Sequence, residues 1–569
     1  MSERRFTARP FQSGDRAERK VLRGGRQVTE AVLVPAERPP KVPLAEGRTV
    51  VWTADSMRRV SPLAFPTDAE AAAPQIALEL ARGEAEAAQV CVSCGLGVTG
   101  GEAAIEIGSL TRADGRPFAG TATCERIGYL ARRNGYAPHP CGPPEDELWF
   151  PEPLLPGQTL RTVPGGTVGA WLTFKAARDA RPGVYAGRVQ VTAGGRRTAI
   201  PCTVRVRDFA LPERFGLKTA YSVMDGFTRA AYPNDFAARK RESWDLMLDH
   251  RLNPDDISRT TPPDLDDLAY AAKRGMNSFN VLNLVPPAKP NQKWVCWVNP
   301  EAVFSESCYD HFRKTLTPYV AELKCRGLDR MAYLYGFDER GTNYYGRLLP
   351  LWQRLKADFG LPVMTTAYMF MDVVKGQLDE RSPFATMTDI HVPIENIYSA
   401  ELADRYRAAG KKVWWYTCCG PTHPNCNNAS YEYPLIECRM LGWLQYRTRA
   451  DGYLFWHVNF WNDGVKLDER ATFFPDWNTH SSLKMPGDGV FLYPGRSRIL
   501  PGIRLANVRD GVEDYEWLQL AEAKAGRAAV ERVLAEVART VKDFTRDPSV
   551  VRLARSRLGD LVEGGSRTL

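Results

Sequence analysis

The 569-residue sequence predicts a multidomain chain: an N-terminal β-sandwich, a (β/α)8 TIM-type barrel and a C-terminal helical extension. Three observations predict it. Short β-branched or alternating runs, punctuated by turn signals, fill the stretch from about 46 to 212. From about 217, strand-like runs alternate with amphipathic helices. Beyond about 505 the pattern is helical. The boundaries follow as a poorly ordered basic leader at 1–45, the sandwich at 46–212, the barrel at 213–500 and the helical segment, packed on the barrel, at 501–569.

The sandwich strands include Val50-Val51-Trp52, Gln89–Val92, Val168–Phe174, Gly187–Val191 and Thr203–Val206, with turns at Arg181-Pro182-Gly183 and Gly194-Gly195. In the barrel, strands are expected at Thr219–Met224, Ser278–Leu284, Met331–Phe337, Val363–Tyr368, Asp389–Ile394, Val413–Cys418, Gly452–Val458 and Val490–Tyr493. Helices are expected at Asp235–His250, Leu265–Arg274, Tyr309–Cys325, Ala400–Ala408 and Leu435–Tyr446. No Gly-rich phosphate loop follows the first strand, which disfavours an open doubly wound sheet. The last helix is read at Ala521–Val541, rich in Ala, Glu, Arg and Val.

Composition excludes several functions. Hydrophobic residues are 44% and charged residues 25%, values of an ordinary globular protein. The net charge is +8, but residues 1–45 hold ten Lys/Arg against five Asp/Glu, so most of the excess sits in the leader. No basic patch interleaved with aromatics argues for nucleic acid. No apolar run is long enough for a membrane span. The first 20 residues lack the apolar core of a signal peptide, so a cytoplasmic, reducing location is expected, with the 12 cysteines as free thiols. Cys91-x-x-Cys94 has metal or redox spacing, but no second pair accompanies it, and on a strand the two thiols would face opposite ways. No cofactor motif is present, and homo-oligomerisation is left open.

The stretch Tyr333-Leu334-Tyr335-Gly336-Phe337-Asp338-Glu339-Arg340 carries the chemistry. It takes an apolar strand straight into two carboxylates at the barrel edge where catalytic groups gather. Neighbours on an extended segment diverge. Asp338 and Glu339 therefore do not suit the facing pair of a double-displacement or inverting glycosidase. They suit hydrolysis assisted by a sugar's own 2-acetamido group, with Asp338 orienting that group and Glu339 as acid/base. The adjacent charge would raise the Glu339 pKa. The same residues also suit a solvated turn or a helix N-cap.

Several blocks in order resemble glycoside hydrolase family 123 and its wider relatives: RPGVYAGRVQVTAGGRRTAIPCTVRVRDFALP at 181–212, YLYGFDER at 333–340, KVWWYTCCGPTHPNCNN at 412–428, LIECRMLGWLQYRTRADGYLFWHVNFW at 435–461, GDGVFLYPG at 487–495 and IRLANVRDGVEDYEWL at 503–518. The resemblance implies that Asp338 and Glu339 are catalytic. It also implies an acetamido-assisted, retaining β-N-acetylgalactosaminidase-like activity with no metal or organic cofactor, and thus a carbohydrate partner. Arg340 stands where many relatives have Pro.

Further candidates come from strand ends. Tyr221, Asn280, Asn283 and Tyr368 are candidate sugar contacts, as is one or more of Trp414, Trp415 and Tyr416. Trp456, Asn459 and Trp461 would line the mouth, and His391 is a further candidate substrate contact that reads equally as a structural histidine. His457 reads as equally structural. Core packing competes for each aromatic. Arg504, Arg509, Asp510, Glu513 and Asp514 read as a salt-bridge network tying the last helix to the barrel. The rival readings are a non-acetamido hydrolase using Asp389 or Glu395 as nucleophile, and a non-catalytic carbohydrate-binding relative.

Overall fold

The computed structural model describes residues 16–23, 26–33, 44–131, 149–285, 304–462, 464–478 and 485–564. The sheet-rich N-terminal region contains two large sheets. One orders Thr49–Asp55, Ala85–Cys94, Thr167–Ala176 and Gly120–Ala131, with Trp149–Pro156 also paired to the last of these. The other orders Ile76–Arg82, Arg196–Ala210, Gly183–Ala193, Glu102–Ile107 and Thr159–Arg161. Val90 and Leu172 from the first sheet share a core with Val189 and Val204 from the second. Alternation explains the shared core: on Gly183–Ala193 the buried residues are Tyr185, Val189, Val191 and Ala193, one face of the strand. A strand from far along the chain, Phe473–Phe474, pairs parallel with Gly120–Ala131, so later residues complete the first sheet.

The leader, expected to be poorly ordered, holds an antiparallel pair, Arg16–Arg23 with Arg26–Leu33. The sequence between them is Gly24-Gly25, a hairpin signal that the charge of the leader overshadowed.

The middle of the chain forms parallel sheet in two runs. One orders Pro254–Asp255, Lys218–Ser222, Gly452–Phe455 and Trp415–Tyr416. The other orders Phe279–Asn283, Ala332–Tyr335, Val363–Thr365, Ile390–His391 and Lys412–Val413. An Ile394–Tyr416 bridge joins them. Ala220, Tyr333, Tyr335, Met364, Ile390, Trp414, Tyr416 and Leu454 form one cluster drawn from both runs, so the sheet curls around it. The helices Phe236–Asp249, Leu265–Lys273, Glu306–Cys325, Thr342–Phe359, Ala400–Ala408 and Ile436–Thr448 alternate with these strands. Two expectations fail in detail. Pro254–Asp255 was too short to read from pattern, and Leu492–Pro494 pairs antiparallel with Ile499–Pro501 rather than joining the parallel sheet.

The C-terminal part is helical: Ile503–Ala525, Arg527–Val537 and Pro548–Val562. The helix expected at Ala521–Val541 is divided at Gly526, whose φ of +81° is left-handed. The helix Ile503–Ala525 is buried on nearly every side of its first four turns, and it crosses Ile436–Thr448 at Gly442 and Gly511. A Cβ on Gly442 would lie 1.7 Å from the Gly511 carbonyl oxygen, so only glycine permits this crossing.

The charged cluster on that helix is buried and paired, as a network reading requires, but its partners reach past the parallel sheet. Arg504 bonds Glu152 of the N-terminal region at 2.9 Å, and Asp514 bonds Arg439 at 2.7 Å. Arg439 also grips Glu86, and Arg555 reaches both Asp514 and Glu84. Removing one partner from such a buried group leaves carboxylates uncompensated, a loss of about 3–5 kcal/mol. Arg439→Met is therefore expected to lower unfolding free energy by about that amount in urea titration. A loss below about 1 kcal/mol would show that Glu86 and Asp514 do not depend on Arg439.

Candidate functional site

The strand Ala332–Tyr335 stops before the two carboxylates. The residues after it are not extended, as the sequence reading assumed: Phe337 has φ 61° and Glu339 has φ 48°. Left-handed backbone at a bulky non-glycine residue is strained by about 1–3 kcal/mol, and such strain gathers at functional sites. Packing holds it in place. Phe337 is buried against Phe304 and Trp352, with ring centroids 5.8 and 5.5 Å away, and its carbonyl accepts from Thr365 Oγ1 at 3.2 Å. Gly336 is required too, because a Cβ there would meet Leu284 Cβ at 2.8 Å.

This bend sets Asp338 and Glu339 half-exposed at the strand ends, each with its own donors. Asp338 Oδ1 accepts from Tyr335 Oη at 2.9 Å and Thr366 Oγ1 at 2.5 Å. Two hydroxyls on one oxygen fix the carboxylate's orientation. Glu339 Oε1 accepts from Tyr416 Oη at 2.6 Å, and Oε2 from Tyr368 Oη at 3.3 Å. Burial raises the Glu339 pKa first and the Asp338 charge second, while the two tyrosines oppose the rise. Glu339 is thus biased toward holding a proton, next to a carboxylate held by two donors.

The other candidates separate into two groups. Tyr368 and Tyr416 are at the pair. Alternation along 414–416 sends Trp414 and Tyr416 to the inner cluster, while Trp415 faces outward and donates from Nε1 to Thr448 Oγ1 at 3.0 Å. Trp456 is half-buried beside the inner cluster, its Nε1 donating to Asp488 Oδ1 at 2.9 Å. Tyr221 does not reach the pair: it packs in the outer core against Tyr453, Phe455 and Phe491. Trp461 is also core, donating to the Leu492 carbonyl. Asn280 spends its amide on backbone, donating to Asp256 O and accepting from Tyr335 N and Leu282 N. Asn283 does the same with Ile257 O and Val285 N. Asn459 bonds both backbone groups of Met224 and Thr228 Oγ1. His391 stacks on Tyr406 of a flanking helix at 4.2 Å, and burial lowers its pKa to about 3. His457 is buried against Phe227 and Phe460.

Asp389 and Glu395 are held by other partners. Asp389 precedes its strand, at the end opposite Asp338, and bonds Lys356 and Lys411. Glu395 is buried and accepts from Asn425 Nδ2 at 2.6 Å.

Sequence reasoning missed Thr366 and Asp488 and did not single out Tyr335. Tyr335 was legible as an inward residue three before Asp338. Thr366 needed the knowledge that Val363–Thr365 pairs with Ala332–Tyr335. Asp488 lies between Gly487 and Gly489, and a Cβ on Gly489 would meet the Trp456 ring at 2.9 Å. Burial raises Asp488 to about 6.

Among the described residues no group of three or more His, Cys, Asp or Glu is arranged to hold a metal ion. No described helix is long and apolar enough to cross a membrane.

Residues 310–521 match the family described as "Glycoside hydrolase 123, catalytic domain". No curated protein matches the chain. A family 123 glycoside hydrolase from Clostridium perfringens, described for glycolipid glycan hydrolysis, aligns with TM-score 0.63 and 13% identity over 91% of this chain and 98% of its own, which shows a common fold. An endo-β-1,4-mannanase from Thermotoga petrophila aligns at TM-score 0.31, with 11% identity over 54% of this chain and 77% of its own. A Parabacteroides merdae β-glucuronidase aligns at 0.24, with 8% identity over 65% and 44%. These two likenesses are too distant to carry an argument. The segment 310–521 is thus recognised as a glycoside hydrolase family 123 catalytic domain, on a fold that the chain shares with a solved member of that family.

Proposed function

We propose that this glycoside hydrolase removes terminal β-linked N-acetylgalactosamine, acting from the chain end with retention through the substrate's 2-acetamido group. The observation that carries the reading is the unequal treatment of two adjacent carboxylates. Asp338 is oriented by two hydroxyls on one oxygen, whereas Glu339 is biased toward its protonated form. In the proposed mechanism Asp338 accepts the acetamido N–H and stabilises the positive charge growing on the oxazolinium ring. Glu339 gives its proton to the leaving oxygen and later takes one from water. Tyr416 and Tyr368, which bond Glu339 here, are placed to pass their hydroxyls to the sugar when the acid turns toward the glycosidic oxygen.

The acetamido assignment is supported by what surrounds the pair. Assisted hydrolysis needs no separate carboxylate nucleophile. The candidates for that role are engaged elsewhere, Asp389 with two lysines and Glu395 with Asn425. The Clostridium perfringens relative is described for glycolipid glycan hydrolysis, and we extend a glycan substrate of that kind to this chain. The parallel strand order supports our reading of a (β/α)8 barrel as the scaffold and of the two N-terminal sheets as a β-sandwich beside it.

Aryl β-N-acetylgalactosaminides test the roles. Glu339→Gln is expected to lose about 10²–10⁴-fold in kcat on a poor leaving group and much less on an activated one. Asp338→Asn should lose on both. A nearly silent Asp338→Asn would remove the orienting role, and no Glu339-dependent turnover at all would favour a binding protein. A thiazoline mimic of N-acetylgalactosamine should inhibit competitively. An active enzyme indifferent to it would rule out acetamido assistance.

The pH profile reads the acid directly. Activity should fall as pH rises through the Glu339 pKa, because the acid loses its proton. Tyr416 donates to Glu339 and so favours its charged form. In Tyr416→Phe that help is gone, and the alkaline limb of kcat/KM should move to higher pH. A limb that stays in place or moves down would show that Tyr416 does not set this pKa.

A further inference from the structure

Two thiols stand side by side next to the carboxylate pair. The strand Trp415–Tyr416 ends, and the chain turns at once, with Cys418 N–H donating to Gly420 O at 2.7 Å. Buried Asn427 fixes the turn: its Nδ2 donates to Cys418 O and Pro421 O, both at 2.9 Å, and its Oδ1 accepts from Ala429 N. Neighbours on an extended strand would point apart. Here the turn brings Cys418 Sγ and Cys419 Sγ to 3.9 Å, with both residues half-buried and free.

We propose that Cys418 and Cys419 form a vicinal dithiol site that captures a thiophilic trivalent centre, a monosubstituted arsenical being the type, and that capture blocks the adjacent active site. Two S–H bonds break, two As–S bonds form, and the arsenical oxygen leaves as water with both protons. No electron is transferred. The turn already holds the thiols together, so chelation costs little ordering. Cys419 lies below the ordinary thiol range because Cys418 donates to it, which favours Cys419 as the first ligand. The charges of Glu339 and Asp488 are both felt at Cys419, and that of Cys418 at Tyr416, so a bound aryl group would sit beside the proposed acid.

The blocking half of this inference rests on the function proposed for Glu339; the capture half does not. Full-length protein is treated with one equivalent of phenylarsine oxide, washed with a monothiol and read by intact mass and by turnover of an aryl β-N-acetylgalactosaminide. Wild type should keep one arsenical, lose at least tenfold in turnover and recover both on addition of a small dithiol. Cys418→Ser and Cys419→Ser should stay active and keep no adduct. Absence of a retained adduct on wild type, or its persistence in either variant, overturns the site. A retained adduct with unchanged turnover overturns the blocking. If untreated protein turns over no such glycoside, the functional reading fails, while mass still decides the capture.

Discussion

Arg439 sits at the centre of the buried charges through which the sheet-rich and strand–helix parts of this chain share one register. Its buried guanidinium bonds Glu86 on an N-terminal strand and Asp514 on the helix Ile503–Ala525, while its own helix backs the parallel sheet. Such ion groups are poor net stabilisers, since desolvation offsets much of their attraction. What they supply is position. An apolar helix can slide along an apolar face, but a guanidinium committed to two buried carboxylates cannot. The carboxylates around it are not equivalent. Against the penalty of burial, Arg439, Arg552 and Arg555 hold Glu86 well below its usual range, whereas burial drives Glu84 up to about 7. From about pH 4.5 to 7, folded Glu84 keeps a proton that the unfolded chain has lost, so its contribution to stability falls as pH rises through that window.

That register reaches the candidate site in a few steps. The helix carrying Arg439 ends at Thr448, whose hydroxyl accepts from Trp415 Nε1. Trp415 faces out, so its neighbour Tyr416 faces in, and Tyr416 is the closest donor to Glu339. The outward tryptophan and the inward tyrosine are two consequences of one strand phase, and the outward one is pinned by a helix that the buried charges hold in place.

The sequence made the order of strands and helices legible because the period of the hydrophobic pattern changes near residue 217. Asp338–Glu339 stood out because an apolar strand runs into two carboxylates inside a block that resembles family 123, although a solvated turn or a helix N-cap has the same local pattern. Phase was harder. Tyr221, Trp415 and Trp461 have the composition of sugar contacts, but strand phase places the first two in the outer core, where Trp461 packs from beyond its strand, and a single short strand does not announce which face is which. Asn280 and Asn459 satisfy backbone groups of neighbouring segments, a demand visible only once those segments meet. Thr366 and Asp488 come from loops whose neighbours are distant in sequence, so no local signal points to them.

The departure that matters most is in the backbone of the motif itself. Read as an extended strand, adjacent carboxylates should diverge and serve unrelated partners. The observed chain leaves the strand at Tyr335 and turns left-handed at Phe337 and again at Glu339, and both carboxylates are half-exposed while keeping separate donors. Glycine would adopt those angles without strain, yet neither position can be glycine and keep its role. Phe337 supplies the packing that fixes the bend, and Glu339 supplies the proton-holding group. The strain is held by burial of the first residue and expressed at the second, which ties the fold of the inner cluster to the chemistry proposed at its edge.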